Sequence, residues 1–304
     1  MSPSSLAQLV ALGAIWGGAH ALTRFSVPVF GPVLLIEVRI GMAALLLAGV
    51  AFATARPLRF KDQWRQVVVL GIINTAIPFL LLTYAATQLN ASVISVLNAT
   101  APVFGAVIGA LWLRESLSAR KIVGMLLGIC GVAVLLSGDL ANADITSAAP
   151  VAAALGTACA YGFSSNYARR HAATLDHFNS AHGSLWVAAL LVAPAVPFFP
   201  ALAPVSPGAA AAAITLGVLC TGIAYLIYFR LIHDVGPASA LSVAFLIPVF
   251  GVLWGVAFLN EPATPALLLG ATFVVAGTAL TTGFRFASLR GGSARSPSTP
   301  KSKS

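Results

Sequence analysis

Apolar segments long enough to cross a lipid bilayer occupy most of this chain, and they limit its fold more than any other feature. The first 23 residues hold no Lys, Arg, Asp or Glu, and only 8% of the 304 residues are charged. Soluble domains carry about 25% charged residues, so this chain has too little polar surface to cover a globule in water. With a mean hydropathy of +0.93, it is predicted to be an all-α integral membrane protein.

The apolar runs lie between charged or Pro/Gly/Asn-rich breaks and predict ten transmembrane helices. These cover residues 6–24, 32–53, 67–86, 91–113, 121–137, 150–168, 180–199, 209–230, 238–259 and 266–284. The basic, Ser/Pro-rich segment 287–304 is predicted to be a disordered tail.

The Lys and Arg residues outside these helices indicate the orientation of the chain. Only Arg24 falls on one side of the membrane, whereas fifteen basic residues fall on the other. An excess of basic residues marks cytoplasmic loops, so both termini are predicted to be cytoplasmic. The fifteen are Arg56, Arg59, Lys61, Arg65, Arg114, Arg120, Lys121, Arg169, Arg170, Arg230, Arg285, Arg290, Arg295, Lys301 and Lys303.

An internal repeat divides the chain into two halves. A shift of 146 residues sets the segment Pro102–Gly105 (PVFG) on Pro248–Gly251, and a shift of 145 sets Trp16-Gly17 on Tyr161-Gly162. The predicted repeats are residues 1–140 and 141–286, with five helices each. Because five is odd, the second repeat enters the membrane with inverted topology, as in secondary transporters. This architecture indicates alternating access.

These features resemble the drug/metabolite transporter superfamily, specifically its EamA-type bacterial members. The resemblance covers about residues 6–284 and is carried by Trp16-Gly17 and by the doubled pattern P-V-F-G-x-x-x-G-x-x-x-L-x-E, which ends at Glu115 and at Glu261. It implies a multi-pass carrier of the bacterial inner membrane, often an exporter, that moves a small organic metabolite such as an amino acid or a drug-like compound between its halves.

Prolines inside three predicted helices are candidate kinks, because each removes a hydrogen bond and frees the carbonyl four residues before it. These prolines are Pro78, Pro102 and Pro248. Asn74 and Asn98 lie four residues before the first two, and Ser95 shares the helical stripe of Asn98. Two interpretations stay open: the polar groups line the substrate path, or neighbouring helices satisfy them.

Aromatic and polar side chains deep in the predicted spans are further candidates for the substrate path. Trp16 and His20 lie one helical turn apart, and the repeat sets Tyr161 at the position of Trp16. Ordinary packing between helices is the alternative in each case. The remaining candidates are Asn166, Tyr225 and Tyr228.

Ionisable residues within a membrane are rare and are functional candidates by default. His20, Glu37 and Arg39 are predicted to share a depth and to form one polar cluster, with His20 or Arg24 as the partner of Glu37. A fixed ion pair, an outer gate, a site for a substrate carboxylate and proton coupling through Glu37 all remain open for this cluster. Glu115 and Glu261 are expected to cap the helices that follow them or to pair with loop residues, and a gating role is the alternative.

Other chemistry has no residues to support it in the sequence. There is no phosphate-binding P-loop, no H-E-x-x-H and no His/Cys cluster at metal spacing, so neither a cofactor nor a metal is expected. The basic residues are too scattered for nucleic acid. The competing class is a membrane-embedded enzyme or lipid-handling protein, but the spans hold a single carboxylate, and a non-enzymatic carrier is favoured. The expected partners are a small-molecule substrate and the bilayer, with a proton or other coupling ion and a second copy of the chain as further candidates.

Overall fold

The computed structural model describes residues 2–56, 60–114, 116–141, 148–171, 177–235 and 243–282, and this part of the chain is helical with short connections. The α-helices are α1 Pro3–Ala53, α2 Phe60–Leu70, α3 Ile77–Ala85, α4 Ala91–Asn98, α5 Ala101–Trp112, α6 Ala119–Ala141, α7 Ala149–Arg170, α8 His177–Val192, α9 Pro207–Gly217, α10 Ala224–Val235, α11 Val243–Leu259 and α12 Pro265–Thr282. A 3-10 segment, Ala193–Phe198, continues α8. The predicted tail, 287–304, and Glu115 lie outside the described residues.

Helix α1 bends at Gly31, where the sequence predicted a loop over residues 25–31. Gly31 has φ 70° and ψ 167° inside an otherwise helical segment, so the predicted loop is wrong and one non-helical residue replaces it. The physical reason is Pro32, which disfavours helical geometry at the residue before it. The freed carbonyl of Val29 accepts hydrogen bonds from Leu202 N at 2.8 Å and Ala203 N at 3.3 Å. The arms on either side, 3–30 and 32–53, are about 42 Å and 33 Å long at 1.5 Å per residue.

Two π-helical segments interrupt the bundle at related places. Gly71–Ala76 joins α2 to α3, and Val218–Ile223 joins α9 to α10. A π turn widens the helix by one residue per turn and is common at functional sites. Pro78 follows the first segment, at the start of α3, so the predicted kink takes the form of a change in hydrogen-bond register.

The other two prolines differ from each other. Near Pro102 the helix breaks completely, because α4 ends at Asn98 and α5 begins at Ala101. The carbonyl of Ala99, in this break, accepts a hydrogen bond from the Thr278 hydroxyl at 2.8 Å. Pro248 lies inside the continuous helix α11.

Close helix contacts at glycine recur under the sequence offset of the repeat. A Cβ on Gly17 would lie 2.6 Å from the Cβ of Phe250, and a Cβ on Gly162 would lie 2.9 Å from the Cβ of Phe104. The first contact joins α1 to α11, and the second joins α7 to α5. Gly17 and Gly162 are 145 positions apart, and Phe104 and Phe250 are 146 positions apart.

The same relation holds for two more sets of contacts. A Cβ on Gly217 would meet the carbonyl of Arg39 at 2.8 Å, and one on Gly71 would meet that of Ser184 at 3.1 Å. Helices α6 and α12 pack through Gly124 with Gly277 and through Gly131 with Gly270. The offset of 146 sets Gly124 on Gly270 and Gly131 on Gly277, so each contact is the repeat equivalent of the other. Each of these glycine contacts therefore has a counterpart at the sequence offset of 145 or 146 residues.

Among the described residues, five helical segments have the length and apolarity needed to cross a membrane. They are Pro3–Ala53, Gln63–Ala85, Ala91–Trp112, Phe178–Phe198 and Pro207–Tyr228, while Val243–Leu259 and Pro265–Thr281 are shorter apolar helices. The structure thus has the helical, apolar character of a membrane protein.

Candidate substrate site

Arg39 is the most deeply buried Lys or Arg among the described residues, and it lies where α1 packs against the second π segment. Only 7% of the residue is exposed. Its Nε donates a 3.0 Å hydrogen bond to the Thr221 hydroxyl, which itself donates to the carbonyl of Leu216 at 2.9 Å. The guanidinium carbon lies 4.1 Å from the centre of the Phe79 ring. A hydroxyl group and a π face therefore contact the cation.

No carboxylate neutralises Arg39 among the described residues. Nε is the one guanidinium nitrogen with a hydrogen-bond partner there, and no ion pair involves this side chain. Tyr161 and Tyr225 lie within electrostatic range of it, and both pack against the same cluster of buried residues as Phe79. The predicted path residues Tyr161 and Tyr225 are thus brought together around Arg39.

The repeat-related position in the other half carries no charge. Ser184 stands 145 residues after Arg39, and Thr75 stands 146 before Thr221. The Ser184 hydroxyl donates to its own helix, at the carbonyl of Ala181, and the buried Thr75 hydroxyl has no hydrogen-bond partner. A guanidinium therefore binds a threonine of the π segment at Arg39 and Thr221, but not at the equivalent residues Ser184 and Thr75.

The predicted polar cluster of His20, Glu37 and Arg39 forms only in part. His20 is 5% exposed and lies within electrostatic range of Arg39, with its Nδ1 unpartnered. Glu37 makes no ion pair in the described structure, and its Oε2 has no hydrogen-bond partner. Arg24, its other predicted partner, donates to the carbonyl of Ala86 at 3.2 Å. Within the described residues Glu37 therefore pairs with neither His20 nor Arg24, the two partners that the sequence suggested for it.

The remaining path candidates fall into separate groups. The Trp16 and Tyr228 rings lie 5.4 Å apart and pack with the buried residues Leu9 and Leu12. In the first π segment, Asn74 Oδ1 accepts a 2.8 Å hydrogen bond from the Ser164 hydroxyl. These groups join α1 to α10 and the first π segment to α7.

Three polar candidates lie near the broken helix and the PVFG segments. The Ser95 hydroxyl donates to the carbonyl of Ile247 at 3.1 Å, and Asn166 Nδ2 donates to that of Gly105 at 2.8 Å. Both bonds run between the predicted halves, so these two side chains satisfy the packing interpretation. Asn98 Oδ1 is buried without a partner and keeps the substrate-path interpretation open.

Glu261 caps a helix, although not the one that the sequence predicted. Its Oε1 accepts from Ala91 N at 2.6 Å and its Oε2 from Ser92 N at 2.9 Å, both in the first turn of α4. The helix that follows Glu261 is capped instead by Thr264, whose hydroxyl accepts from Leu267 N at 3.1 Å. The side chain of Asn90 gives α4 no cap, and the buried carboxylate satisfies that helix start.

Two cavities lie beside the first arm of α1. A cavity of about 550 Å³ is lined by α1, α9, the second π segment and α11, and a second of about 310 Å³ includes Arg24 and Glu261. Trp16, Asn74, Asn98 and Tyr225, which the sequence suggested for the substrate path, line neither of the two. In the described part of the chain, no three His, Cys, Asp or Glu side chains are grouped as metal ligands.

Sequence reasoning missed Thr221, Phe79 and Ser164. Thr221 carried a usable signal, because the offset of 146 sets it on Thr75 within the repeat. Phe79 and Ser164 carried none, since an aromatic or small polar residue in an apolar segment is ordinary.

The two halves also match known proteins separately. The sequence profile of the EamA-like transporter family matches residues 4–137 and again residues 149–283. The chain belongs to this family. The resemblance to the drug/metabolite transporter superfamily is thereby confirmed, and the protein is a transporter of that superfamily.

Relatives of this EamA-like transporter match along nearly its whole length. The uncharacterized transporter YvbV of Bacillus subtilis is 27% identical over 282 residues, covering 90% of this chain and 89% of its own. A probable terminal-alkyne amino-acid exporter of Streptantibioticus cattleyicolor is 26% identical over 277 residues, covering 90% and 91%.

A solved crystal structure supports the fold. It superposes with a TM-score of 0.66 at 20% identity and covers 93% of this chain and 98% of its own. At this identity the likeness concerns the fold alone.

Proposed function

We propose that this transporter exports a small organic metabolite bearing a carboxylate, such as an amino acid or an acidic drug-like compound, and that Arg39 binds the carboxylate. The observation that carries the proposal is a guanidinium that is 7% exposed and has no carboxylate partner among the described residues. The relative named as a probable amino-acid exporter supports both the substrate class and the direction.

The energetics of burial favour a bound anion at this place. Removing an ion from water costs several kcal/mol even after relaxation, and a hydroxyl and a π face compensate Arg39 only in part. A substrate carboxylate supplies the missing charge and accepts from the guanidinium nitrogens that Thr221 leaves unpaired. The nearby Tyr161 and Tyr225 add aromatic surface and hydroxyl groups for the rest of a small organic molecule.

The two halves provide the transport mechanism in this proposal. Ten helices form two inverted repeats, residues 1–140 and 141–286, and one half rocks against the other around the fixed site. The glycine contacts that recur under the offset support this mechanism. Because the two halves make equivalent contacts, each half can adopt the conformation of the other. In this proposal the membrane is the bacterial inner membrane. Both termini lie in the cytoplasm, as the distribution of Lys and Arg favours.

The charge is present in one half only, so the site is asymmetric. Arg39 has Ser184 as its repeat equivalent, and Glu37 is a separate carboxylate that has no ion-pair partner among the described residues. In this scheme Arg39 holds the substrate, while Glu37 is the candidate for coupling transport to protons.

A comparison of growth media tests the proposal. Cells that overproduce the wild-type protein, cells that overproduce Arg39→Gln and cells lacking the gene are grown in parallel, and the metabolites outside them are quantified. We expect one class of carboxylate-bearing compound to accumulate with the wild-type protein and to fall by about 10- to 100-fold with Arg39→Gln, the equivalent of a lost charged hydrogen bond.

Arg230→Gln is the matched control, because Arg230 has a side chain that is 72% exposed. It should export as the wild type does. Equal export by Arg39→Gln, at equal amounts of folded protein in the membrane, would contradict the role of Arg39. Accumulation of an uncharged compound class would contradict the substrate class.

A further inference from the structure

The larger cavity is an apolar groove on the outside of the bundle. It lies between the first arm of α1, α9 with its π segment, and α11, and Thr215 and Cys220 are the sole polar or thiol side chains in its lining. Three lining side chains are exposed: Phe25 by 50%, Leu219 by 37% and Phe258 by 70%. On membrane-spanning helices, exposed apolar side chains face lipid acyl chains rather than water.

The groove ends in a polar pocket. The cavity of about 310 Å³ shares Phe25 and Leu259 with the groove and adds Arg24, Pro28, Asn90 and Glu261. Together the two cavities form a site with an apolar body and a charged end. The charged end lies about 33 Å along α1 from its start at Pro3, near the far side of the bilayer.

Arg24 is the group at this end with binding capacity to spare. One of its guanidinium nitrogens donates to the carbonyl of Ala86, and it has no ion pair among the described residues. Glu261, in contrast, already accepts from Ala91 N, Ser92 N and the Ser92 hydroxyl. The pocket therefore presents a cation with free donors beside a carboxylate whose oxygens are engaged.

A glycine lines the groove. Gly18 packs closely against Trp254, because an added Cβ would lie only 3.3 Å from its ring. The residue 145 positions later is Phe163, whose ring stacks on Trp112 at 4.9 Å. Trp112 itself corresponds to Phe258 under the offset of 146. At the repeat-related place, an aromatic side chain thus stands where the groove has a glycine.

We infer that a membrane glycerophospholipid binds this groove, with its phosphate on Arg24 and one acyl chain against Phe25, Trp254 and Phe258. A guanidinium matches a phosphate in charge and in donor geometry, and basic pockets between membrane helices bind lipid headgroups in this way. The apolar lining and its exposure to the bilayer give the acyl chain access from the side. Arg39 does not line either cavity, and the inference does not rest on the proposed substrate.

Tryptophan fluorescence provides the test, because Trp254 lines the groove. A variant that keeps Trp254 and carries Phe at Trp16, Trp64, Trp112 and Trp186 is purified in detergent and titrated with two brominated lipids, a phospholipid and a diacylglycerol without phosphate. We expect the phospholipid to quench Trp254 at about tenfold lower concentration. The preference should disappear in Arg24→Gln, and Gly18→Phe should reduce quenching by both lipids.

Arg169→Gln is the matched control, since Arg169 is the repeat equivalent of Arg24, and it should keep the preference. Equal quenching by the two lipids, or a preference that survives Arg24→Gln, would overturn the inference. Displacement of the phospholipid by inorganic phosphate alone would also overturn it, because the pocket would then bind free anions.

A second measurement leaves the tryptophans in place. The phospholipid that remains with the protein after extensive detergent washing is counted by native mass spectrometry. The wild-type protein and Arg39→Gln should retain one molecule more than Arg24→Gln. Equal retention by all three proteins would overturn the assignment to Arg24.

Discussion

At the scale of single residues, buried charges in this transporter differ in how they are compensated. Glu261 is compensated completely, because the backbone N–H groups of Ala91 and Ser92 bind both carboxylate oxygens. Arg39 is compensated in part, by Thr221 and by the Phe79 ring. Glu37 has no partner for its buried Oε2. A stabilising role thus belongs to Glu261, and the incomplete compensation of Arg39 leaves capacity for a ligand.

Glu261→Ala should destabilise the protein. The substitution removes the acceptor of two backbone N–H groups in the first turn of α4, and unsatisfied buried donors cost about 1–3 kcal/mol each. Thermal unfolding in detergent should show a lower midpoint than for the wild type. Asp234→Asn is the control, because its ion pair with Arg230 is exposed on the surface of α10 and such pairs contribute about 0–1 kcal/mol. Equal midpoints for wild type and Glu261→Ala would rule out the cap.

Glu37→Gln should leave substrate binding intact. Glu37 makes no ion pair with Arg39, so removing its charge leaves the proposed carboxylate site unchanged. We expect the affinity for the exported compound to stay within about twofold of the wild-type value, a difference below 0.5 kcal/mol. Loss of binding in this variant, measured with purified protein, would place Glu37 in the substrate site.

At the scale of helices, glycine contacts set the spacing of the bundle. A Cβ on Gly277 would lie 2.6 Å from the carbonyl oxygen of Gly124, whereas a Cβ on Gly49 would have nothing within 4 Å. Both glycines lie within helices, so they differ in environment rather than in secondary structure.

Gly277→Ala and Gly49→Ala should therefore have opposite effects on stability. The first forces α6 and α12 apart, and overpacking of this kind costs about 1–3 kcal/mol. The second gains up to about 1 kcal/mol from helix propensity. Thermal unfolding of the two variants beside the wild type measures both. A Gly277→Ala protein as stable as Gly49→Ala would show that α6 and α12 do not pack as closely as described.

Hydropathy predicted where most helices begin and end, and missed their internal geometry. The segment 150–168 was predicted and Ala149–Arg170 observed, because an apolar run marks the length that must be shielded from water. The π segments left no such mark, since a shift in hydrogen-bond register leaves hydropathy unchanged. The sequence therefore predicted that Arg39 lies within a membrane helix. It did not predict its partner Thr221, because the π turn places that side chain.

At the scale of the whole molecule, the two halves are expected to lie with opposite orientation in the membrane. Single cysteines in a protein lacking Cys130, Cys159 and Cys220 test the sides of the predicted loops. Thr54→Cys should react with a membrane-impermeant reagent only after cells are opened. Ala203→Cys should react in intact cells. Ala203 lies beside Val29 at the start of the second arm of α1, whereas Thr54 lies at the other end of that arm. Labelling of Thr54→Cys in intact cells would contradict the orientation.

The most direct test of Arg39 as the carboxylate site is transport by purified protein in liposomes. The compound identified in the growth medium is compared with its primary amide, which has the same shape without the charge, in the wild type, Arg39→Lys and Arg39→Gln. We expect the wild type to transport the acid at least about tenfold faster than the amide, as for a charged hydrogen bond. Arg39→Lys should keep part of this preference and Arg39→Gln none. An Arg39→Gln protein that prefers the acid as strongly as the wild type would contradict the assignment of the carboxylate site to Arg39.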